Sequence, residues 1–203
     1  VVFAGTLNDD GVAATPSNLT INTSGAGLTE FGSAVGGSNA LTSITTNADG
    51  SMLIVGNVHT TADQIYNDQV TIGGDATLTA NNVTFADKLD DDGNGATTSN
   101  LTINAAGVTT FAGAVGTSAL TSLTTDAAGS TAINGGTVTT TGDQTYNDAV
   151  TLGANTVLTS AGSGNIKLAS KVDGPFTLAV NTAGTTTFGD AVGGFAALAS
   201  LTT

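Results

Sequence analysis

Carboxylates are the side chains in this 203-residue sequence best suited to chemistry, and they are densest in residues 90–95. There Asp90, Asp91, Asp92 and Asn94 are interleaved with two glycines. Oxygen ligands grouped around glycine are what a hard cation such as Ca²⁺ requires. The spacing differs from that of an EF-hand loop, in which ligands alternate with other residues. We therefore identify these four residues as candidate calcium ligands, and the alternative is a solvated turn.

Other catalytic arrangements lack the residues that they need. Glycosidases use a pair of carboxylates, but Glu30 is the only glutamate and the equivalent residue of the next repeat is Thr110. His59 is the only histidine and there is no cysteine, so neither a repeated nucleophile–base pair nor a multi-histidine metal site can form within the chain. With three lysines and no arginine, a polyuronate lyase is disfavoured. The sequence therefore predicts a protein without enzymatic activity.

The charge balance limits the partners. The formal net charge is −13, with only three basic residues against 16 acidic ones. Nucleic acids and anionic membrane surfaces are bound through lysine and arginine, so both are disfavoured. No apolar run approaches the roughly 18 residues of a membrane-spanning helix. We expect no nucleic-acid partner, no membrane span and no disulfide framework.

An internal repeat organises the chain. The segment Ala62 to Leu78, ADQIYNDQVTIGGDATL, returns at Gly142 to Leu158 as GDQTYNDAVTLGANTVL. Flanking residues extend the match, so that we divide the chain into a first repeat at 1–82, a second at 83–162 and a partial third at 163–203. The Asp-rich cluster of the second repeat is preceded by a similar one at 8–11 and followed by a shorter one at 173–174.

The elements that carry these residues are short strands. Val, Ile, Leu, Phe and Thr return in runs about every 10 to 12 residues, separated by Gly, Asn, Asp and Ser, and helical spacing is not sustained. We predict an all-β protein, namely a parallel β-solenoid in which the three repeats form one continuous stack. Glycine pairs at many of the breaks and the scarcity of large aromatic residues favour this architecture. The alternative is a string of Ig-like β-sandwiches of about 80 residues each.

Conspicuous polar residues of the repeat are predicted to have structural roles. Asp63, Asn67 and Asp68 return as Asp143, Asn147 and Asp148, and we expect them to form polar ladders or to lie at corners. Stacked asparagines can hydrogen-bond to their own copies in successive coils. Tyr66 and Tyr146 also occupy one repeat position, which indicates a packing or corner role.

The second repeat also resembles a known family. Residues 139–152, TTTGDQTYNDAVTL, followed by TVL at 156–158, are similar to the passenger-associated β-strand repeats of autotransporters. More broadly, they resemble the repeat regions of giant bacterial adhesins. The resemblance implies a secreted or surface-displayed β-helix that serves as a stalk or fibre.

Together these observations predict a structural module of an extracellular, cell-surface bacterial fibre or giant adhesin. The module is expected to extend along its axis by head-to-tail contact with other copies of itself or with covalently linked repeats. No cofactor other than calcium is expected. The alternative is an adhesion module that binds surface glycans.

Overall fold

The computed structural model describes residues 1–12 and 15–203, and within them it contains 25 β-strands and no helix. All strand pairs are parallel, and each strand inside a sheet pairs with strands from the coils before and after it. The predicted all-β parallel solenoid is therefore confirmed. Tandem Ig-like sandwiches are excluded, because their sheets are antiparallel.

The solenoid has three faces, each formed by one sheet. The first face has ten strands. They are β1 (Val2–Phe3), β3 (Leu28–Phe31), β5 (Ser51–Ile54), β8 (Gln69–Ile72), β11 (Leu89–Asp91), β14 (Val115–Leu120), β17 (Thr137–Thr140), β20 (Thr156–Ser160), β23 (Thr177–Thr182) and β25 (Ser200–Thr202).

The second face has eight strands and the third face has seven. Those of the second face are β2 (Asn18–Ile21), β4 (Ser43–Thr46), β7 (Gln64–Tyr66), β10 (Val83–Phe85), β13 (Val108–Phe111), β16 (Ser130–Ile133), β19 (Ala149–Leu152) and β22 (Val172–Asp173). Those of the third face are β6 (Val58–His59), β9 (Ala76–Ala80), β12 (Asn100–Ala105), β15 (Ser122–Thr125), β18 (Gln144–Tyr146), β21 (Ile166–Leu168) and β24 (Thr186–Phe188).

The chain visits the faces in a fixed order. From β5 to β24 it passes from the first face to the third and then to the second, so that three strands complete one coil. Coil length varies along the stack. The coil between Ser51 and its partner Gln69 is much shorter than the coil between Val2 and its partner Glu30. About eight coils are stacked in this way.

Alternation of side chains along each strand makes the core. In β9 and β20 every second residue is buried and the others face outward, as expected for a strand with one solvent-facing side. Small aliphatic side chains fill most of the narrow interior. Tyr66, Phe85 and Phe111 form a stack through three coils, with ring centroids 5.4 and 5.6 Å apart. These rings are among the largest fully buried side chains of the described residues.

Glycine is required where the chain turns sharply against the next coil. Gly36, Gly116 and Gly193 occupy one repeat position, and their φ angles are 70°, 74° and 69°. At Gly116 an added Cβ would overlap the carbonyl oxygen of Thr139. A residue with a side chain is disfavoured there by both backbone conformation and space.

The aromatic stack provides a test of the core. We expect Phe111→Ala to lower the free energy of unfolding by about 3–5 kcal/mol, because Phe111 is fully buried and the cavity lies between two coils. Phe195→Ala is the matched control, since Phe195 is 96% exposed, and its effect should stay within about 0.5 kcal/mol. Urea unfolding followed by circular dichroism measures both, and equal midpoints would contradict the placement of Phe111.

Candidate functional site

A buried glutamine and a buried tyrosine form the most conspicuous polar cluster. In the second repeat the Gln144 Nε2 atom donates to the carbonyl oxygens of Val138 at 3.2 Å and Thr159 at 2.8 Å. The Gln144 Oε1 atom accepts a hydrogen bond from the Tyr146 hydroxyl at 3.1 Å. One amide thus bonds to main-chain carbonyl oxygens of its own coil and of the next coil, and it supplies the acceptor for a buried tyrosine hydroxyl.

The first repeat contains the same cluster. Gln64 Nε2 donates to Val58 O at 3.2 Å and to Thr79 O at 3.0 Å, and Gln64 Oε1 accepts from the Tyr66 hydroxyl at 2.9 Å. Burial raises the pKa of both tyrosines above the ordinary value, so each hydroxyl remains a donor. The predicted packing and corner role of the tyrosines is confirmed, and the glutamine is the residue that the sequence reasoning missed.

Polar ladders run between coils at the edges of the prism. Asp63 Oδ1 accepts from the Asn82 side-chain Nδ2 atom at 2.8 Å. Asn82 Oδ1 in turn accepts from Val108 N of the following coil at 2.7 Å. In the second repeat Asp143 Oδ1 accepts from Asn165 N at 2.6 Å, and Asn165 Oδ1 accepts from Thr185 N at 2.9 Å. The expected ladders therefore exist.

The partners within these ladders differ from the predicted ones. Asn67 and Asn147 do not stack on each other, because more than three coils separate them and they follow strands of different faces. Instead, each side chain donates to a carbonyl oxygen of the preceding coil, that of Thr46 at 2.6 Å and that of Thr125 at 2.9 Å. The expectation of copy-on-copy stacking was wrong.

A buried carboxylate follows each asparagine. Asp148 accepts hydrogen bonds from the hydroxyls of Thr125 at 2.6 Å and Thr131 at 2.8 Å. Burial is the main reason why the pKa of Asp148 is raised, and the hydroxyl donors and nearby Asp126 modify it in opposite directions. No cation among the described residues is bonded to it, so the threonines carry the stabilisation of its charge.

The equivalent aspartate of the first repeat is bonded differently. Asp68 Oδ1 accepts from Gly50 N at 2.8 Å, whereas its Oδ2 has no hydrogen-bond partner among the described residues. The residues paired across the strands explain the difference. Val70 of the first repeat pairs with Met52, whereas its counterpart Val150 of the second repeat pairs with Thr131. A thioether thus stands in the position of the donor hydroxyl.

The four candidate calcium ligands are divided between the inside and the outside of the solenoid. Asp90 is buried in β11, and its Oδ1 accepts from Ser118 N at 3.0 Å. Asp91 ends β11 and Asp92 begins the following turn, and they accept from Gly93 N at 2.7 Å and from Asn94 N at 2.8 Å, respectively. The Asn94 side chain is exposed and accepts from Ala96 N at 3.3 Å.

These bonds give each carboxylate a structural role within the turn or between coils. Within residues 1–12 and 15–203, no group of three or more His, Cys, Asp or Glu side chains is placed to hold a metal ion. Calcium binding by this cluster stays a prediction. The sequence contains a sign of the structural role of Asp90. Asp90 follows an aliphatic residue, and so do its counterparts Asn8 and Asp173 in the other repeats.

The remaining residues weighed for chemistry are dispersed. His59 is exposed on β6 of the third face, Glu30 faces outward from β3 on the first face, and Thr110 faces outward from β13 on the second. The described part of the chain contains no helix that is long and apolar enough to cross a membrane. Comparison with protein-family models, curated proteins and solved structures found no match.

The glutamine cluster can be tested by an apolar replacement of similar size. We expect Gln144→Leu to lower the free energy of unfolding by about 2 kcal/mol, because the buried Tyr146 hydroxyl loses its acceptor and two carbonyl oxygens lose an additional donor. Gln69→Leu is the control, since Gln69 faces outward in β8, and it should change the value by less than about 0.5 kcal/mol. Chemical denaturation of both variants gives the comparison, and a silent Gln144→Leu would refute the role of the amide.

Asp148 predicts a pH dependence of stability. Because its folded-state pKa is raised above the ordinary 3.8, its contribution is favourable below 3.8 and is lost as pH rises through the folded-state pKa. Asp148→Asn should therefore raise the melting temperature at neutral pH, and the gain should disappear in acid.

Asp75 is the matched control of opposite sign. The Thr98 hydroxyl and then the backbone N–H of Asn100 hold the Asp75 pKa below 3.8. Its contribution is present above 3.8 and is lost as pH falls through the folded-state pKa, so Asp75→Asn should lower the neutral melting temperature. Thermal melts of both variants from about pH 3 to pH 7 measure this, and parallel pH profiles would contradict the assignment.

Proposed function

We propose that the chain is a structural repeat module of an extracellular bacterial surface fibre or giant adhesin, and that it assembles along its axis. The observation that carries this proposal is the state of the terminal strands. On the first face β1 pairs only with β3 and β25 pairs only with β23 among the described residues. The outer N–H and C=O groups of these two strands are arranged like those through which each internal coil bonds to the next. A further coil can therefore pair with them.

The core of the last coil supports the same proposal. Leu201 is 44% exposed, whereas Leu123, its counterpart in the second repeat, is fully buried. Phe188 is likewise only partly buried, whereas Phe111 is completely buried. A coil stacked on this end, from a covalently linked repeat or from a second copy, would remove this apolar surface from water at a gain of about 25 cal/mol per Å².

A stalk function follows from the direction of the hydrogen bonds. Three parallel sheets run the length of the stack, so an axial load is shared among three sets of main-chain bonds. The resemblance of residues 139–152 to autotransporter and adhesin repeats supports the cell-surface location. In this function the faces and edges serve as a scaffold, and adhesive parts are carried elsewhere.

Axial assembly is tested with a variant of the last coil. The wild-type chain should form rods that lengthen with concentration in negative-stain electron microscopy. Leu201→Lys should shorten them severalfold, because a charge would be buried at the joint. Val108→Lys is the control, since Val108 is 39% exposed on the outer side of β13, far from either end, and rod length should not change. Monomers of constant length at every concentration would contradict the proposal.

A further inference from the structure

The sequence repeat and the coil are out of phase. Gln64 and Tyr66 belong to β7 on the second face, whereas Gln144 and Tyr146 belong to β18 on the third face. The second copy therefore comes eleven strands after the first. Since three strands make one coil, one repeat spans three and two-thirds coils, and each copy is rotated by one third of a turn relative to the previous copy.

A second repeated feature, a side chain at the repeat position of Asp90 that accepts a backbone N–H from the next coil, occurs once on each face. Asn8 follows Leu7, which is bridged to the third face, Asp90 is in β11 on the first face, and Asp173 is in β22 on the second. Each side chain accepts a backbone N–H from the next coil, at 3.0, 3.0 and 2.8 Å. This bond is present in all three copies, and Asp173 accepts a second one from Ala196 N at 3.1 Å, so the rotation keeps the contact between coils.

The rotation also moves the outward loops around the axis. Residues 9–12 follow Asn8 where the chain leaves the third face for the second, residues 92–99 lie between the first and third, and residues 174–176 lie between the second and first. Each of the three edges of the prism thus carries one loop. With strands about 4.8 Å apart, successive loops are displaced by about 18 Å along the axis.

The longer loops are not needed to close a coil. The third copy connects its strands through residues 174–176 alone, whereas the second uses 92–99. Residues 92–98 are exposed, and they bring the carboxylate of Asp92 to the surface, next to Asp91. The first loop likewise carries Asp9 and Asp10.

Charge is concentrated at the edges of the prism and is sparse on its faces. Of the 16 acidic residues only Glu30, Asp90, Asp91 and Asp173 belong to strands, and the other twelve lie in the connections between strands. The faces present rows of small hydroxyl side chains. On the third face Thr77, Thr102, Thr124 and Thr145 are in register in successive coils, facing outward.

We propose that the two acidic loops, residues 9–12 and 91–98, act as lateral spacers that prevent a second copy of the fibre from packing against the third face, whose two edges they occupy. This inference rests on the proposed fibre function and extends it. Flat, weakly charged sheet faces would otherwise pack at a distance of about 10 Å. Carboxylates on protruding loops repel a neighbour before the faces meet, because charge repulsion acts over roughly 8 Å at physiological ionic strength. Rotation by one third of a turn places these two loops on opposite edges of the third face, whereas the short connection at residues 174–176 carries no carboxylate.

Two variants test the spacer role. In the first, residues 91–99 are replaced by Gly-Pro-Phe, the connection that the third copy uses at 174–176. In the second, Asp9, Asp10, Asp91 and Asp92 are changed to asparagine, which keeps loop length and the Oδ1 acceptors of the turns. The matched control changes Asp87, Asp126, Asp143 and Asp190 to asparagine, since it removes the same number of carboxylates from connections outside these loops.

The second virial coefficient from static light scattering at low salt is the readout, and it needs no filament. The wild type and the control should have a positive coefficient. Shortening the loop or removing its charges should lower the coefficient severalfold or reverse its sign, and electron microscopy should show side-by-side bundles. If both variants keep the wild-type coefficient, the spacer role is overturned. If the coefficient changes as expected but no axial rods form, the result would count only against the proposed fibre.

Discussion

Main-chain hydrogen bonds between successive coils are the constraint on which the rest of this structure depends. Each strand must present its N–H and C=O groups to the coils on either side, so the chain can turn only at the edges of the prism. Side chains then alternate between a narrow interior and the solvent. The interior takes slim aliphatic residues, one aromatic stack and a few polar groups whose partners are supplied by neighbouring coils.

The polar groups inside the coil follow from the same constraint. At the edges some N–H groups are bonded by aspartate and asparagine side chains of the preceding coil. Gln64 and Gln144 add a donor to carbonyl oxygens of their own and the next coil and accept the buried tyrosine hydroxyls. Burial of such groups is costly unless every atom has a partner. Asp68 shows this cost, because Met52 removes the hydroxyl that its counterpart Asp148 receives from Thr131. Asp148 and Asp68 thus allow a buried carboxylate with hydrogen-bond donors on both oxygens to be compared with one that lacks a donor on one oxygen.

The architecture was predictable from the sequence because slim apolar runs and glycine-rich breaks are local features. The same local features predicted that Asp63, Asn67 and Tyr66 occupy edges or corners. The partners of these residues were not predictable, because the coils differ in length and the sequence repeat is not a whole number of coils. Asp90 illustrates the limit, since its acidic neighbours indicated a cation whereas its buried side chain bonds to Ser118 in the next coil.

The most direct test of the account measures whether repeated residues share a face. Ile65 and Thr145 are equivalent in the repeat but lie on the second and third faces, whereas Ile65 and Thr151 lie in one outward row, four coils apart. Spin labels at cysteines in these positions allow distances to be measured by electron–electron double resonance. The account predicts about 19 Å for the same-face pair, from strand spacing, and a clearly longer distance for the equivalent pair. Equal distances, or a longer distance for the same-face pair, would contradict it.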